Sequence, residues 1–199
     1  MHRVLTPADY RHTAWKNGGG RTAEIIVHPP HADLGGFVWR ASVADVERDG
    51  PFSTFPGVDR TLVLLAGAGF SLTGGDVPLE MRAHYEPVTF AGDIALGCRL
   101  HDGAVRDFNL MVRRAAARGE LSVVREEAGT IKPARFRLCF VAAGTCECLV
   151  AGNVPIVLHD GDALLVDAEG APPSALHVNP LTTDAVALAA SIDLVSPAA

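Results

Sequence analysis

The shortness of the apolar runs is the feature of this sequence that most constrains its fold. Runs of three to six residues recur along the chain, and clusters of glycine, proline and aspartate separate them. Strands need only about 4–8 residues and helices ten or more, so this pattern favours many short strands joined by turns. The sequence therefore predicts an all-β protein built as a sandwich or barrel. The runs lie at residues 25–27, 37–39, 61–65, 108–112, 136–141, 156–158, 163–166 and 186–190.

One strand pattern occurs twice. A segment that starts at Arg60, RTLVLLAGAGFSL, is followed by one that contains a Gly-Asp pair at 92–93. A segment that starts at Arg137, RLCFVAAGTCECL, is followed by one with a Gly-Asp pair at 161–162. Glycine supplies a positive φ in a tight turn and aspartate bonds nearby backbone amides. Strand, turn, strand and a Gly-Asp turn resemble the small β-barrel of cupins, here present twice.

Length and composition agree with two folded barrels. A chain of 199 residues allows one large domain or two small ones. Its residues are 48% hydrophobic and 20% charged, which is typical of a folded protein rather than a disordered one. We therefore predict a two-barrel (bicupin) chain, with a first cupin-like barrel at residues 1–114 and a second, smaller one at 115–199, continuous with the first.

Charge and hydropathy exclude several classes of protein. The net charge of −6 argues against a general nucleic-acid surface, and residues 115–199 carry most of the negative excess. The longest uncharged apolar stretch, residues 61–75, is too short and too rich in glycine for a membrane span. The first residues lack the apolar core of a secretory signal. We therefore expect a cytoplasmic protein without nucleic-acid or membrane partners.

The cysteines and histidines give no metal or nucleophile pattern. Four cysteines lack CxxC spacing, and Cys146 and Cys148 would share one face of a strand, which favours free thiols in a core. Many cupins hold a metal with His and Glu, but the eight histidines form neither an HxH pair nor an HExxH motif. No Gly-x-Ser-x-Gly elbow occurs. We expect no metal, no cofactor and no catalytic residue.

Two loops are candidates for ligand contacts. The segment WKNGGG places Lys16 and Asn17 beside three glycines whose amides can face an anion, although the same segment also suits a plain turn before a strand. The segment DGPFSTFPGVDR is a compact loop with Phe52 and Phe55 as anchors. Arg60 ends this loop, and the plain structural interpretation gives it a terminal ion pair with the preceding aspartate.

Two strands carry polar residues on one face. Alternation along residues 39–44 puts Arg40 and Ser42 on the face opposite to the tryptophan. Alternation along residues 106–114 likewise puts Asp107, Asn109 and Arg113 on one face. Such a face is either a solvated surface or the hydrogen-bonding wall of a pocket, and the sequence leaves both interpretations open.

Together these segments resemble the HutD/Ves family. Its pattern consists of WKNGGG followed by Thr-x-Glu-Ile, a WR-x-S strand, DGPFS-x-FPG-x-DR, F-x-GD and DFN-x-M-x-RR. All of these motifs occur between Trp15 and Arg114, and the second half of the chain matches more weakly. The resemblance implies a two-barrel cupin fold and a link to bacterial histidine utilisation, which family members limit or tune. It implies no established catalytic activity.

The resemblance and the strand faces together predict a binding site for a small carboxylate such as urocanate, formylglutamate or a formate-like molecule. Arg40 offers a planar donor fork to the carboxylate, and the hydroxyl of Ser42 completes the set. Asp107 and Asn109 face a neutral or NH-bearing part of the ligand, and Lys16 or the glycine amides close over it. The candidate ligand-binding residues are Lys16, Asn17, Arg40, Ser42, Arg60, Asp107, Asn109 and Arg113.

Two other classes of function remain open. A metal-independent cupin acts as an isomerase or lyase when an acid and a base flank its substrate, and Asp107, Lys16 and His84 are the candidates for these roles. A protein-interaction module is the third class. Cupins often pair through sheet edges, so a homodimer is an expected assembly.

Overall fold

The computed structural model describes residues 1–75, 78–150 and 154–195, and it confirms an all-β protein. Strand β1 (His2–Leu5) and a short 3-10 helix (Pro7–Asp9) come first. The chain forms two compact units: a central unit, Tyr10–Ala116, and a terminal unit, Met1–Asp9 together with the chain from Ala117 onward. In the described ranges, no helix reaches the length and apolar character needed to cross a bilayer.

The central unit contains a six-stranded and a four-stranded antiparallel sheet. The strand order is β2-β3-β4-β11-β6-β9 in the larger sheet and β5-β10-β7-β8 in the smaller. The strands are β2 (Arg11–Ala14), β3 (Gly20–His28), β4 (Trp39–Val46), β5 (Gly50–Phe52), β6 (Val58–Ala66), β7 (Phe70–Thr73), β8 (Leu79–Met81), β9 (Pro87–Ala91), β10 (Leu96–Leu100) and β11 (Val105–Arg113).

The terminal unit contains a five-stranded and a four-stranded antiparallel sheet. The strand order is β1-β17-β14-β19-β12 in the larger sheet and β13-β18-β15-β16 in the smaller. The strands after β1 are β12 (Ala117–Arg125), β13 (Gly129–Ile131), β14 (Phe136–Ala143), β15 (Thr145–Val150), β16 (Ile156–His159), β17 (Ala163–Asp167), β18 (Leu176–Pro180) and β19 (Val186–Leu194).

The first residues of the chain belong to a different unit from the one the sequence indicates. The predicted first barrel included residues 1–9, but β1 pairs with β17, so that Leu5 lies opposite Ala163. Backbone hydrogen bonds attach this strand to the edge of the sheet, and composition carries no signal for such pairing. The chain therefore passes from one unit to the other twice, between Asp9 and Tyr10 and between Ala116 and Ala117.

The two units share one strand order, although the Gly-Asp turns do not correspond. The order β5-β10-β7-β8 in the central unit matches β13-β18-β15-β16, and β4-β11-β6-β9 matches β12-β19-β14-β17. In this correspondence Gly92-Asp93 follows β9, whereas Gly161-Asp162 precedes β17, the equivalent of β9. The repeat predicted from the sequence is therefore present in the topology, but its two Gly-Asp turns occupy different positions.

The interior of the central unit is apolar at one end and polar at the other. Leu62 and Leu64 of β6 and Val46 of β4 pack against apolar residues of the smaller sheet, among them Phe70 and Leu72. Further along the same inward faces the side chains become polar. The central unit is therefore a β-sandwich whose larger apolar cluster lies at one end, and a smaller one, formed by Phe37, Val58 and Met111, adjoins the polar residues.

The apolar core of the terminal unit contains three thiols. Cys139, Cys146 and Cys148 are free and fully buried among leucine, valine and alanine side chains of both sheets. Burial raises the pKa of the Cys146 thiol to about 11. These thiols act as small apolar residues, as predicted for the Cys146 and Cys148 pair.

Replacing Gly20 by alanine should destabilise the central unit. An added Cβ would lie 2.2 Å from the carbonyl oxygen of Asp45 in the neighbouring strand, so the strands would have to separate. We expect a loss of about 1–3 kcal/mol in the free energy of unfolding, measured by urea denaturation. Gly50→Ala is the matched control, because no atom lies within 4 Å of its added Cβ. Equal effects of the two changes would contradict this prediction.

Candidate functional site

A cavity of about 660 Å³ opens at the polar end of the central unit. Strands β2, β3, β4, β6 and β11 form one wall, and the loop that follows β5 forms the other. The structure brings seven of the eight candidate residues together around this cavity: Lys16, Asn17, Arg40, Ser42, Arg60, Asp107 and Asn109.

Sheet register explains how residues from distant parts of the sequence meet. Residues directly opposite each other on neighbouring strands point to the same face of a sheet. Met111 lies opposite both Arg40 and Arg60, so one row crosses three strands. Asn109 lies opposite Ser42 in the next row, and Asp107 lies opposite an alanine and a leucine in the row beyond. The alternation predicted for both strands places their polar faces in the pocket wall.

Arg40 has an internal partner that the sequence interpretation missed. Its Nε donates to Oε2 of Glu24 at 2.6 Å, and both side chains are buried. Its Nη1 donates to the hydroxyl of Ser42 at 3.1 Å. Because Glu24 neutralises Arg40, this arginine is less suited than predicted to be the main partner of a carboxylate ligand. Arg11, at the exposed rim, adds a second cation 3.4 Å from Glu24.

Arg60 is buried without a carboxylate within ion-pair distance among the described residues, and its side chain is only 4% exposed. Its guanidinium carbon lies 4.3 Å from the ring centroid of Phe52 and 5.4 Å from that of Phe55. Nη1 donates to the carbonyl oxygen of Ser53 at 3.2 Å, and the buried Nε has no partner. Burial lowers the pKa of Arg60 to about 10, and Asp107 opposes this shift. Arg60 remains a cation at neutral pH, enclosed by aromatic rings.

Asp107 and Asn109 present unpaired acceptors in the same cavity. Asp107 is 1% exposed, and neither its Oδ2 nor the Oδ1 of Asn109 has a hydrogen-bond partner. Burial raises the pKa of Asp107 to about 7, and the charge of Arg60 limits the rise. Near neutral pH this carboxyl group therefore exchanges between its protonated and ionised forms.

The glycine loop is a hairpin turn between β2 and β3 rather than a cradle of free amides. The amide of Gly18 donates to the carbonyl oxygen of Trp15 at 3.0 Å, and the amide of Gly19 donates to Oδ1 of Asn17 at 3.0 Å. The prediction that these two amides close over a ligand is therefore wrong, because the turn uses both. Lys16 remains exposed at the mouth of the cavity.

Three expectations from the sequence differ from what the structure shows. Arg113 does not line the cavity, because its Nε donates to the carbonyl oxygen of Phe37 at 2.9 Å and holds the loop before β4. His84 also lies outside the cavity, with Nε2 2.9 Å from the carbonyl oxygen of Gly67. The expected ion pair between Asp59 and Arg60 is absent in the described part of the chain, because Asp59 pairs with Arg114 at 2.7 Å.

The lining does not fit a metal ion. None of the described residues around the cavity is a histidine. In the described part of the chain, no group of three or more His, Cys, Asp or Glu side chains is arranged to hold a metal. The cavity instead offers cations, one titrating carboxyl group and aromatic rings, which suit an organic anion.

Comparisons of sequence place the chain among proteins of one family. The HutD family model matches residues 7–186. A Pseudomonas putida relative, described as an uncharacterized 21.2 kDa protein in the hutC 3' region, is 35% identical over 76% of this chain and 79% of its own length. Protein Ves of Cronobacter sakazakii is 38% identical over 67% of this chain and 72% of its own length.

Comparisons of structure agree with the family found from sequence. The structure of HutD from Pseudomonas fluorescens SBW25 in a formate condition has a TM-score of 0.83 and 31% identity, covering 98% of this chain and 100% of that one. Oxalate decarboxylase of Lactobacillus farciminis has a TM-score of 0.63 at 7% identity, covering 98% of this chain and 86% of that one. At this identity the second likeness shows a cupin-like fold alone.

The Arg40–Glu24 pair should show strong coupling in a double-mutant cycle. Arg40→Met leaves a buried carboxylate without its closest cation, so we expect a loss of about 3–5 kcal/mol. Adding Glu24→Leu should recover most of that loss, measured by urea denaturation. The exposed pair Lys132–Glu120, also 2.6 Å apart, is the control, and we expect its coupling to stay below about 1 kcal/mol. Additive effects of the two buried changes would contradict this prediction.

Asp107→Asn should change how stability depends on pH. Since the folded-state pKa of about 7 lies above the ordinary value of 3.8, the wild-type protein loses stability as the pH rises through this window. The loss approaches about 4 kcal/mol and levels off above about pH 8. The variant lacks this loss. The difference between its free energy of unfolding and that of the wild-type protein should therefore grow in favour of the variant from pH 4 to pH 8, measured by urea denaturation. Asp102→Asn, at an exposed site, is the control; parallel curves for Asp107→Asn and wild type would contradict the prediction.

Proposed function

The chain belongs to the HutD family, and from this membership and the cavity of the central unit we propose that the protein binds a small carboxylate metabolite without transforming it. Binding tunes histidine utilisation in the cytoplasm. Urocanate, formylglutamate and a formate-like molecule are the candidate ligands. Two cupin-like barrels in one chain form the scaffold, and the central one carries the site.

Arg60 is the observation that carries this proposal. Burying a guanidinium is costly unless an anion or hydrogen bonds compensate it. The pocket supplies one carbonyl oxygen at 3.2 Å and the faces of aromatic rings, and it leaves Nε unpaired. A carboxylate would satisfy the guanidinium in the planar geometry that arginine favours. The anchor of the ligand is therefore Arg60, with Arg40 as a neutralised part of the wall.

The charges around the cavity also favour an anion. Four cations of the described chain lie in its lining, Arg11, Lys16, Arg40 and Arg60, and two carboxylates lie beside them in that part of the chain, Glu24 and Asp107. A positive cleft with low-dielectric walls raises the local concentration of anions. Its volume of about 660 Å³ lies within the common range for small-molecule pockets.

The names of two relatives support the link to histidine utilisation. The P. putida relative is described by its place beside hutC, and the P. fluorescens relative is called HutD and was solved in a formate condition. Formate is the smallest carboxylate, and urocanate and formylglutamate carry the same group on a larger frame. A metabolite sensor for this pathway would need such a pocket.

A metal-independent isomerase or lyase is the second candidate function. It is favoured by Asp107, whose pKa of about 7 suits a general acid or base at neutral pH. Lys16 at the mouth of the cavity would supply the second proton-transfer group. This alternative requires turnover of a bound carboxylate with a bell-shaped pH profile, and the binding function requires that the ligand be recovered unchanged.

Arg60→Ala should abolish most of the affinity for the ligand. Truncating a buried charged partner costs about 2–5 kcal/mol, which is a loss of at least roughly thirtyfold in affinity. Calorimetric titration with urocanate, formylglutamate and formate measures this loss, and chromatography of the same samples detects turnover. Arg99→Ala, at an exposed position of β10, is the control and should leave affinity unchanged. An unchanged affinity in Arg60→Ala would remove the support for this site.

A further inference from the structure

The cavity has an acceptor region as well as a cationic one. Asn109 and Asp107 lie two and four residues along β11 from Met111, which is opposite Arg60. At strand spacing their backbones are about 7 and 13 Å from the Arg60 row. Two buried oxygens in this region, Oδ2 of Asp107 and Oδ1 of Asn109, have no partner. An anion held by Arg60 would therefore extend towards these two acceptors.

Among the described residues, no side chain donates a hydrogen bond to Oδ2 of Asp107. Its cross-strand neighbours are Ala44 and Leu64, which have no polar side-chain atoms. Arg40, one possible donor in the wall, is engaged with Glu24 and Ser42. Buried polar groups in folded proteins are normally paired, so unpaired acceptors that face a cavity indicate a ligand with donors.

The terminal unit indicates that these acceptors are not needed for the fold. By strand order and register, the positions equivalent to Asp107 and Asn109 are Ala187 and Ala189 of β19. Both alanines are buried in an apolar core. The same architecture is therefore stable with methyl groups in these places, and the polar pair of the central unit serves another purpose.

We propose that Asp107, assisted by Asn109, is the specificity-determining residue of the cavity and selects carboxylates that carry an N–H donor at the end remote from the carboxylate. Imidazole, amidine and amide groups meet this requirement. A nitrogen-free molecule of the same shape is disfavoured, because it places an oxygen or carbon atom against the acceptors. This inference rests on the proposed binding of a carboxylate at Arg60.

Two probes of the same shape test this selection. Trans-urocanate has an imidazole N–H, and trans-3-(2-furyl)acrylate has a furan ring in its place. We expect the wild-type protein to bind urocanate at least tenfold more tightly in calorimetric titration. In Asp107→Asn the preference for urocanate over furylacrylate should fall, because the charge-assisted hydrogen bond is lost. In Asp107→Leu the same preference should fall below threefold, because the acceptor is removed.

The affinity for furylacrylate separates recognition from damage to the fold. In Asp107→Asn the furan probe should bind as tightly as in the wild-type protein, or more tightly, since a repelling carboxylate has been removed. If Asp107 had only a structural role, replacing it would weaken the binding of both probes alike, and that result would overturn the inference. Asp102→Asn is the matched control for the same chemical change and should keep the full preference.

The remaining outcomes distinguish this inference from the proposed function. If the wild-type protein binds both probes within threefold of each other, carboxylate binding stands and selection by Asp107 is overturned. If it binds neither probe at millimolar concentration, the proposed function fails and the inference fails with it. If urocanate is preferred but the preference survives in Asp107→Leu, another group selects the ligand and the inference is wrong.

Discussion

The burial of charge between two sheets is the constraint on which the central unit depends. Arg40 and Glu24 meet at 2.6 Å, so their charges largely cancel inside the wall. Arg60 and Asp107 are equally buried but have no partner at such a distance in the described chain. Unpaired buried charges are unfavourable and persist where the rest of the fold holds them in place. The apolar half of the sandwich supplies that support, and the polar half is left ready for a ligand.

The sequence predicts which faces of the strands are polar because strand alternation is a local property. Side chains two residues apart share a face whatever the partner strand is, so Arg40 with Ser42 and Asp107 with Asn109 could be placed together from the sequence alone. The same rule puts Cys146 and Cys148 on one strand face, and the shortness of the apolar runs predicts an all-β fold of many short strands. For the site, the alternation rule gives the polar face of each strand, and the sheet register then brings these faces to one cavity.

Strand alternation does not predict which residues face each other on neighbouring strands, because that depends on the register of the sheet. Glu24 stands opposite Ser42 in the register of β3 with β4, and this placement gives Arg40 its carboxylate partner. Arg113 obeys the alternation but stands at the end of β11, where its donors reach loop carbonyl groups instead of the cavity. The attachment of β1 to β17 is likewise a matter of backbone pairing alone. Identical residue types thus acquire different roles from their neighbours across the sheet.

The duplicated topology separates what the fold requires from what the proposed ligand would require. Arg137 of β14 occupies the place of Arg60, and its Nη1 donates to both the carbonyl oxygen and the hydroxyl of Ser174, while its buried Nε, like that of Arg60, has no partner. Methyl groups replace the acceptors there, and an apolar core with three thiols fills the space between the sheets. Because one strand order accommodates both interiors, the polar cavity of the central unit is not a consequence of the architecture. It reflects a set of residues whose unsatisfied groups are complementary to a small charged molecule.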